Sequence, residues 1–225
     1  MPKRRLLLSW SSGKDSAWTL HALRQQGTYE VAGLLTTIND AADRVAMHAV
    51  RTSLLEAQAE AAGLPLWKIP IPHGCSNEQY EGAMSAAIER ARAEGIGAFG
   101  FGDLFLEDIR HYREKQLAGT GMEAVFPLWK KPTGPLAEEM VAAGLRAVLT
   151  CVDPNHLPAS FAGRQFDRDL LRDLPAQVDA CGENGEFHSF AYAGPMFRRP
   201  ISVRLGEVVE RGGFVFADVI AGDTE

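Results

Sequence analysis

A chain of 225 residues with 29 acidic and 23 basic side chains, formal net charge -6, lacks the basic surface on which non-specific binding to long nucleic acid depends. Its 46% hydrophobic and 23% charged content excludes a disordered or fibrous design and suits a core of one domain, or one domain with a substantial appendage. No apolar run approaches membrane-spanning length, and the few leucines between Arg5 and Ser9 are too short for a secretory segment, so a cytoplasmic protein without a membrane partner is expected.

Cys75, Cys151 and Cys181 are widely spaced and odd in number, which predicts free thiols in a reducing compartment. No Cys-x-x-Cys is present, so structural zinc, iron-sulfur and thioredoxin-like chemistry lack support.

Leu6 to Trp10 reads as an apolar strand running into Ser11-Ser12-Gly13-Lys14-Asp15-Ser16 and then a helix over 16–26 that stops near Gly27. Ser9, Ser11, Ser12, Gly13, Lys14, Asp15 and Ser16 bring hydroxyls, backbone N–H groups and a positive charge to a helix N-terminus, where anions are favoured. They are candidate phosphate-binding residues. Asp15 or Ser16 is expected to cap the helix, and Gly13 to let the backbone approach a ligand. The loop is not G-x-x-x-x-G-K-[ST], because Lys14 is followed by Asp15, and a standard kinase or GTPase is thereby excluded.

Val31 to Thr37 is a second strand, Val45 to Ala62 a helix ended by Gly63, and Leu66 to Pro70 a third strand. Residues 77–94 form an alanine-rich helix, Ile96 to Gly102 a glycine-interrupted strand, and Leu106 to Leu117 a helix with Glu107, Arg110 and Glu114 along one face. Val125 to Trp129 closes this unit, Pro135 lies in the first turn of another helix, and Arg146 to Val152 is a further strand. The alternation predicts an α/β fold with a doubly wound parallel sheet. Beyond residue 152 the chain is punctuated by Pro154, Pro158, Gly163 and Pro175, with a short helix from Asp167 to Leu174 and strand candidates at Ile201 to Leu205 and Phe214 to Val219. We expect residues 1–130 to form the nucleotide-binding domain and 131–225 a smaller α+β region packed on it.

In an open parallel sheet, ligands lie beyond the carboxyl ends of the strands. Thr36 and Asn39, after the second strand, are candidates to face an adenosine or are ordinary loop residues, and His48 is a candidate to approach nucleotide or substrate. After the glycine-rich strand come Gly102 and Asp103, the latter a candidate to hold magnesium or orient phosphates, with Glu107 one turn further and Arg110 a candidate to neutralise developing charge. A helix cap followed by surface ion pairs is the plain alternative. Glu183, Glu186 and His188 place two carboxylates and an imidazole within one short segment, suited to ammonium or magnesium binding and proton removal, or to a tight hairpin with exposed charges.

Ser11 to Ser16 is similar to the S-G-G-x-D-S pyrophosphate loop, with Ser12 in place of the first glycine. Together with Gly102-Asp103-Leu104-Phe105-Leu106-Glu107-Asp108, Pro127-Leu128-Trp129 and the segment from Cys181 to Phe190, it resembles the diphthine-ammonia ligase family of the adenine nucleotide alpha hydrolase superfamily. The resemblance spans most of the chain and implies that superfamily's HUP-type fold. It also implies an ATP- and Mg2+-dependent ligase: a substrate carboxylate attacks the α-phosphorus of ATP, pyrophosphate leaves, and ammonia displaces AMP to give an amide. On this resemblance Ser11 to Ser16 hold pyrophosphate, Asp103 and Glu107 position phosphates or metal, and Glu183, Glu186 and His188 line the acyl and ammonia side. The implied partners are ammonia and a carboxylate, either the diphthine of translation elongation factor 2 or a small molecule such as a corrinoid side chain, with a homodimer left open. Two rivals are ATP-dependent thiolation, which needs a sulfur-handling cysteine such as Cys151 or Cys181, and a non-catalytic adenine nucleotide sensor like the universal stress proteins.

Overall fold

The computed structural model describes residues 2–39, 44–45, 50–72 and 74–222. Strand β1 (Arg4–Ser9) carries Leu6, Leu7 and Leu8 in an unbroken, fully buried run, as a parallel strand covered on both faces requires. Leu6 and Leu8 enter a core shared with Trp18, Leu54 and Leu149, whereas Leu7 enters a second core with Trp67, Ile88 and Phe99. Alternate side chains of one strand thus serve opposite faces of the sheet.

β1 pairs in parallel with β2 (Tyr29–Asn39) and β5 (Ala98–Gly100), β2 with β4 (Leu66–Ile71), and β5 with β6 (Glu123–Val125). The two-residue β3 (Arg44–Val45) lies antiparallel against the end of β2. Helices α1 (Lys14–Gln26), α2 (Thr52–Ala62), α3 (Asn77–Ala93) and α4 (Glu107–Leu117) connect and cover these strands. α3 starts in a capping box, Ser76 Oγ accepting from the Gln79 N–H while the Gln79 side chain accepts from the Ser76 N–H. The α/β sheet expected from the sequence is observed.

After α5 (Thr133–Ala142) the chain enters a four-stranded antiparallel sheet in the order β8 (Phe187–Ala193), β7 (Arg146–Val152), β10 (Phe214–Ala221), β9 (Val203–Arg211), with α6 (Arg168–Asp173) on the connection between β7 and β8. The strand at 146–152 therefore belongs to this second sheet and not to the parallel one, because its partners are β8 and β10. One further expectation is corrected: Val45 lies in a strand and its helix begins only at Thr52. The 125–129 segment that closes the unit is the end of β6 followed by a turn. Among the described residues no helix is long and apolar enough to cross a membrane.

Gln58 of α2 joins the two sheets where the β1–α1 loop begins. Its Nε2 donates to Ser12 O at 2.9 Å and Ala191 O at 2.6 Å, and its Oε1 accepts from Trp10 Nε1 at 2.8 Å. Ala191 N–H donates back to Ser12 O at 3.0 Å, so β8 is fastened directly onto the loop.

Candidate functional site

Helix α1 begins at Lys14 with Gly13 as its N-cap in extended geometry, and neither Asp15 nor Ser16 caps it. The expected side-chain cap is absent because β8 supplies the polar partner: the Lys14 N–H donates to Ser189 Oγ at 3.2 Å. The same strand explains Gly13, where a Cβ would come within 3.2 Å of Ser189 O. Ser12 has φ 68°, the left-handed region in which glycine is the ordinary residue.

The loop forms one wall of a cavity of about 250 Å3. Ser9, Ser11, Gly13, Lys14, Asp15 and Ser16 come from the β1–α1 connection, Gly102 and Asp103 from the end of β5, and Glu183, His188 and Ser189 from the C-terminal region. Gly102 packs so closely that a Cβ would lie 3.2 Å from Ser16 N. Residues more than 160 positions apart in sequence thus meet beyond the carboxyl ends of the parallel strands, at roughly the place the general rule for such sheets gives.

A second cavity of about 490 Å3 shares Ser9, Ser11, Phe101 and Arg113 with the first. Its remaining wall is largely apolar and aromatic, with Trp10, Leu35, Tyr80, Met84 and Phe99, and includes Thr36 and Thr37. Thr36 spends its hydroxyl proton on Trp10 O. Asn39 is in neither wall, and His48 lies outside the described residues.

Several charged candidates point elsewhere. Lys14 is buried, its Nζ donating to Asp15 Oδ2 at 2.8 Å and to Cys181 O and lying over the Phe166 and Phe187 rings. Burial is the largest influence and opposes its charge, but Asp15, Cys181 and Glu183 together outweigh it and raise its pKa above the usual lysine value. Arg110 sits between Phe126 and Trp129 and pairs with Glu114 at 2.7 Å, the surface ion pair of the plain alternative. Glu107 is exposed and pairs with Lys130 at 3.3 Å. Glu186 is outside the cavity wall; its carboxylate accepts from the N–H groups of Asp179 and Asn184 and from Asn184 Nδ2, each at 3.0 Å, and closes its own loop.

Glu183 and Asp103 remain. Glu183 Oε1 accepts from Leu104 N–H at 2.6 Å and Phe105 N–H at 3.3 Å, while burial pushes its pKa up to about 7. Burial also raises Asp103, against the pull of Arg113, and lowers His188, which Lys14 reinforces. Arg113, on the cavity side of α4, escaped the reading of the sequence. The signal was available: Ile109, Arg113, Gln116 and Leu117 form the inward stripe of α4 at helical spacing, and a charge on such a stripe needs a reason.

Residues 4–124 match the model of the diphthamide synthase N-terminal domain, and residues 133–217 that of the diphthamide synthase C-terminal domain. The chain belongs to the diphthamide synthase family. It is similar to the diphthine--ammonia ligase of Bos taurus, 26% identical over 234 residues covering 93% of this chain and 86% of that protein. The Danio rerio protein of the same name is 25% identical over 93% of this chain and 90% of its own length. That of Schizosaccharomyces pombe is 24% identical over 89% of this chain but only 36% of its own length. The fold expected from the motifs and the family resemblance are thus both shown.

Proposed function

We propose that this protein is an ATP-dependent carboxylate-ammonia ligase that forms AMP and pyrophosphate, with residues 1–130 as the nucleotide-binding unit and 131–225 as the substrate-side unit. The observation that carries the reading is the convergence, in one cavity, of Ser11 and the Gly13 to Ser16 stretch, but not Ser12, with Asp103, Glu183 and His188. Likeness to proteins named diphthine--ammonia ligase supports the same reaction class.

The two cavities fit ATP. The polar one, with its hydroxyls and backbone N–H groups, suits a pyrophosphate, and the aromatic one suits an adenosine. Magnesium also fits: Asp15 Oδ1 and Asp103 Oδ2 are carboxylate oxygens buried without a hydrogen-bond partner among the described residues. No group of three or more protein ligands exists among those residues, so an ion there would rely on one or two carboxylates and on phosphates, as magnesium commonly does. When bound, it would neutralise charge on the departing pyrophosphate.

In the first step a carboxylate oxygen of the substrate bonds to the α-phosphorus and the bond from that phosphorus to the β-phosphate oxygen breaks. Ser11, Ser16 and the start of α1 hold the leaving group. Ammonia then bonds to the acyl carbon, AMP leaves with the electrons of the broken C–O bond, and the nitrogen sheds a proton. His188, kept neutral by burial and by Lys14, is the base on the correct side of the cavity, and Glu183 both positions the 104–105 backbone and faces the incoming ammonia. Glu186 holds the loop that carries Glu183.

The thiolation alternative loses support because burial pushes the Cys151 thiol up to about 11 and the Cys181 thiol higher, leaving neither as a ready thiolate. For the substrate, we infer a protein-borne diphthine or a small-molecule carboxylate. The test is incubation of the purified chain with ATP, Mg2+, ammonium chloride and a panel of carboxylates that includes a diphthine-bearing peptide. AMP and pyrophosphate in equal amounts, formed only with a carboxylate, are expected; ADP as the sole nucleotide product would overturn the proposal.

A further inference from the structure

A triphosphate needs a cation, and the two basic side chains that the sequence offered for it are occupied. Lys14 is held by Asp15 and Cys181 O beneath the Phe166 and Phe187 rings, and Arg110 lies outside the cavity against Phe126, Trp129 and Glu114.

Arg113 differs from both. It lies in the wall shared by the polar and aromatic cavities, at the junction between a phosphate chain in one and a nucleoside in the other. Its guanidinium is over the Phe101 ring at 5.3 Å, and its Nε is 3.8 Å from Asp103 Oδ2, beyond hydrogen-bond reach. Both of these atoms are shielded from solvent, and neither has a hydrogen-bond partner among the described residues. Buried polar atoms are rarely left so, and this loosely paired cation, its side chain a quarter exposed, stands in the wall beside an anion-binding loop.

We propose that Arg113 is the phosphate-contacting cation of this site, reaching the α-phosphate from the junction of the two cavities, and that Asp103 holds it there before nucleotide arrives. This rests on the adenylating reading given above. The side chain stabilises charge that grows on the non-bridging oxygens as the carboxylate attacks, the task the sequence had suggested for Arg110. A planar guanidinium over the Phe101 ring presents its donors as a fork, so lysine cannot replace it fully.

The test is calorimetric titration of wild type, Arg113→Met, Arg113→Lys and Arg110→Met, each checked for native melting, with Mg2+-ATP and separately with adenosine. Arg113→Met is expected to weaken ATP by about 30-fold or more, the loss of a charge-assisted hydrogen bond, while adenosine stays within about two-fold. Arg113→Lys recovers part of the loss, and it carries the test should the methionine variant fail to fold. Arg110→Met keeps ATP affinity within about three-fold. Wild-type ATP binding that Arg113→Met leaves intact overturns the role of Arg113 alone. Equal loss of ATP and adenosine in a folded variant, or a larger loss in Arg110→Met, also overturns it. A wild type that binds no ATP overturns both this assignment and the proposed ligase.

Discussion

Glu183 reaches from the C-terminal region to the parallel-sheet region and accepts the Leu104 N–H at 2.6 Å. A carboxylate on the connection into β8 of one sheet thereby fixes the backbone that carries Asp103 beyond the other. That bond is made by a group whose pKa burial has raised from 4.5 to about 7. Between those values the folded chain holds a proton that the unfolded chain has released, so this group's contribution to stability falls as pH rises through the window. Glu183→Gln keeps an oxygen to accept from Leu104 and removes the charge. Its melting temperature relative to wild type is expected to be about 2–4 °C higher at pH 8 than at pH 5, the shift that about 1 kcal/mol produces in a chain of this size once solvent screening of this partly exposed carboxylate has reduced the full effect. A pH-independent difference in paired melting scans would contradict it.

Glu186 illustrates how far a side chain's role depends on the direction in which it points. The sequence offered it as a catalytic carboxylate, yet it is buried and accepts three hydrogen bonds inside its own loop. Glu186→Ala leaves those donors without a partner and is expected to cost about 2–3 kcal/mol, read as a lower urea midpoint. Glu186→Gln, which retains one acceptor, loses less. A destabilisation under about 0.5 kcal/mol in the alanine variant would contradict the clamp.

Ser12 holds a left-handed backbone with φ 68°, and its buried Oγ has no hydrogen-bond partner among the described residues. Glycine removes both costs, and this relief outweighs the unfolded-state entropy that glycine adds, so Ser12→Gly is expected to stabilise by about 0.5–1 kcal/mol. The side chain is not in either cavity wall, and ATP affinity should be unchanged by titration. A lower melting temperature would contradict the strain assigned to Ser12.

The parallel sheet was legible because its signal is local: Leu6 to Leu8 is apolar without alternation, as a strand buried on both faces must be. The place of Asp103 was legible because the ends of parallel strands collect at one edge, whereas Glu183, before β8, and His188, within it, were tied to the site only by the family resemblance. Strand β7 was misassigned to the parallel sheet because an apolar strand does not encode which neighbours it will have. Lys14 and Arg110 were misread for a related reason. Helix position fixes where a side chain starts, but Phe166, Phe187 and Cys181 decide where Lys14 ends, and Phe126 and Trp129 decide Arg110. Ser12 shows the reverse, since the glycine expected there has its reason in the φ that the serine is made to adopt.

Carboxylate adenylation is tested most directly by following oxygen. A substrate labelled with 18O in its carboxylate is incubated with the protein, ATP, Mg2+ and ammonium, and the nucleotide and phosphate products are read by mass spectrometry. One 18O atom transferred to AMP, with unlabelled pyrophosphate, is the expected result. Label in inorganic phosphate together with ADP would mean an acyl phosphate in place of an acyl-adenylate, and would contradict the role given to the loop from Ser11 to Ser16.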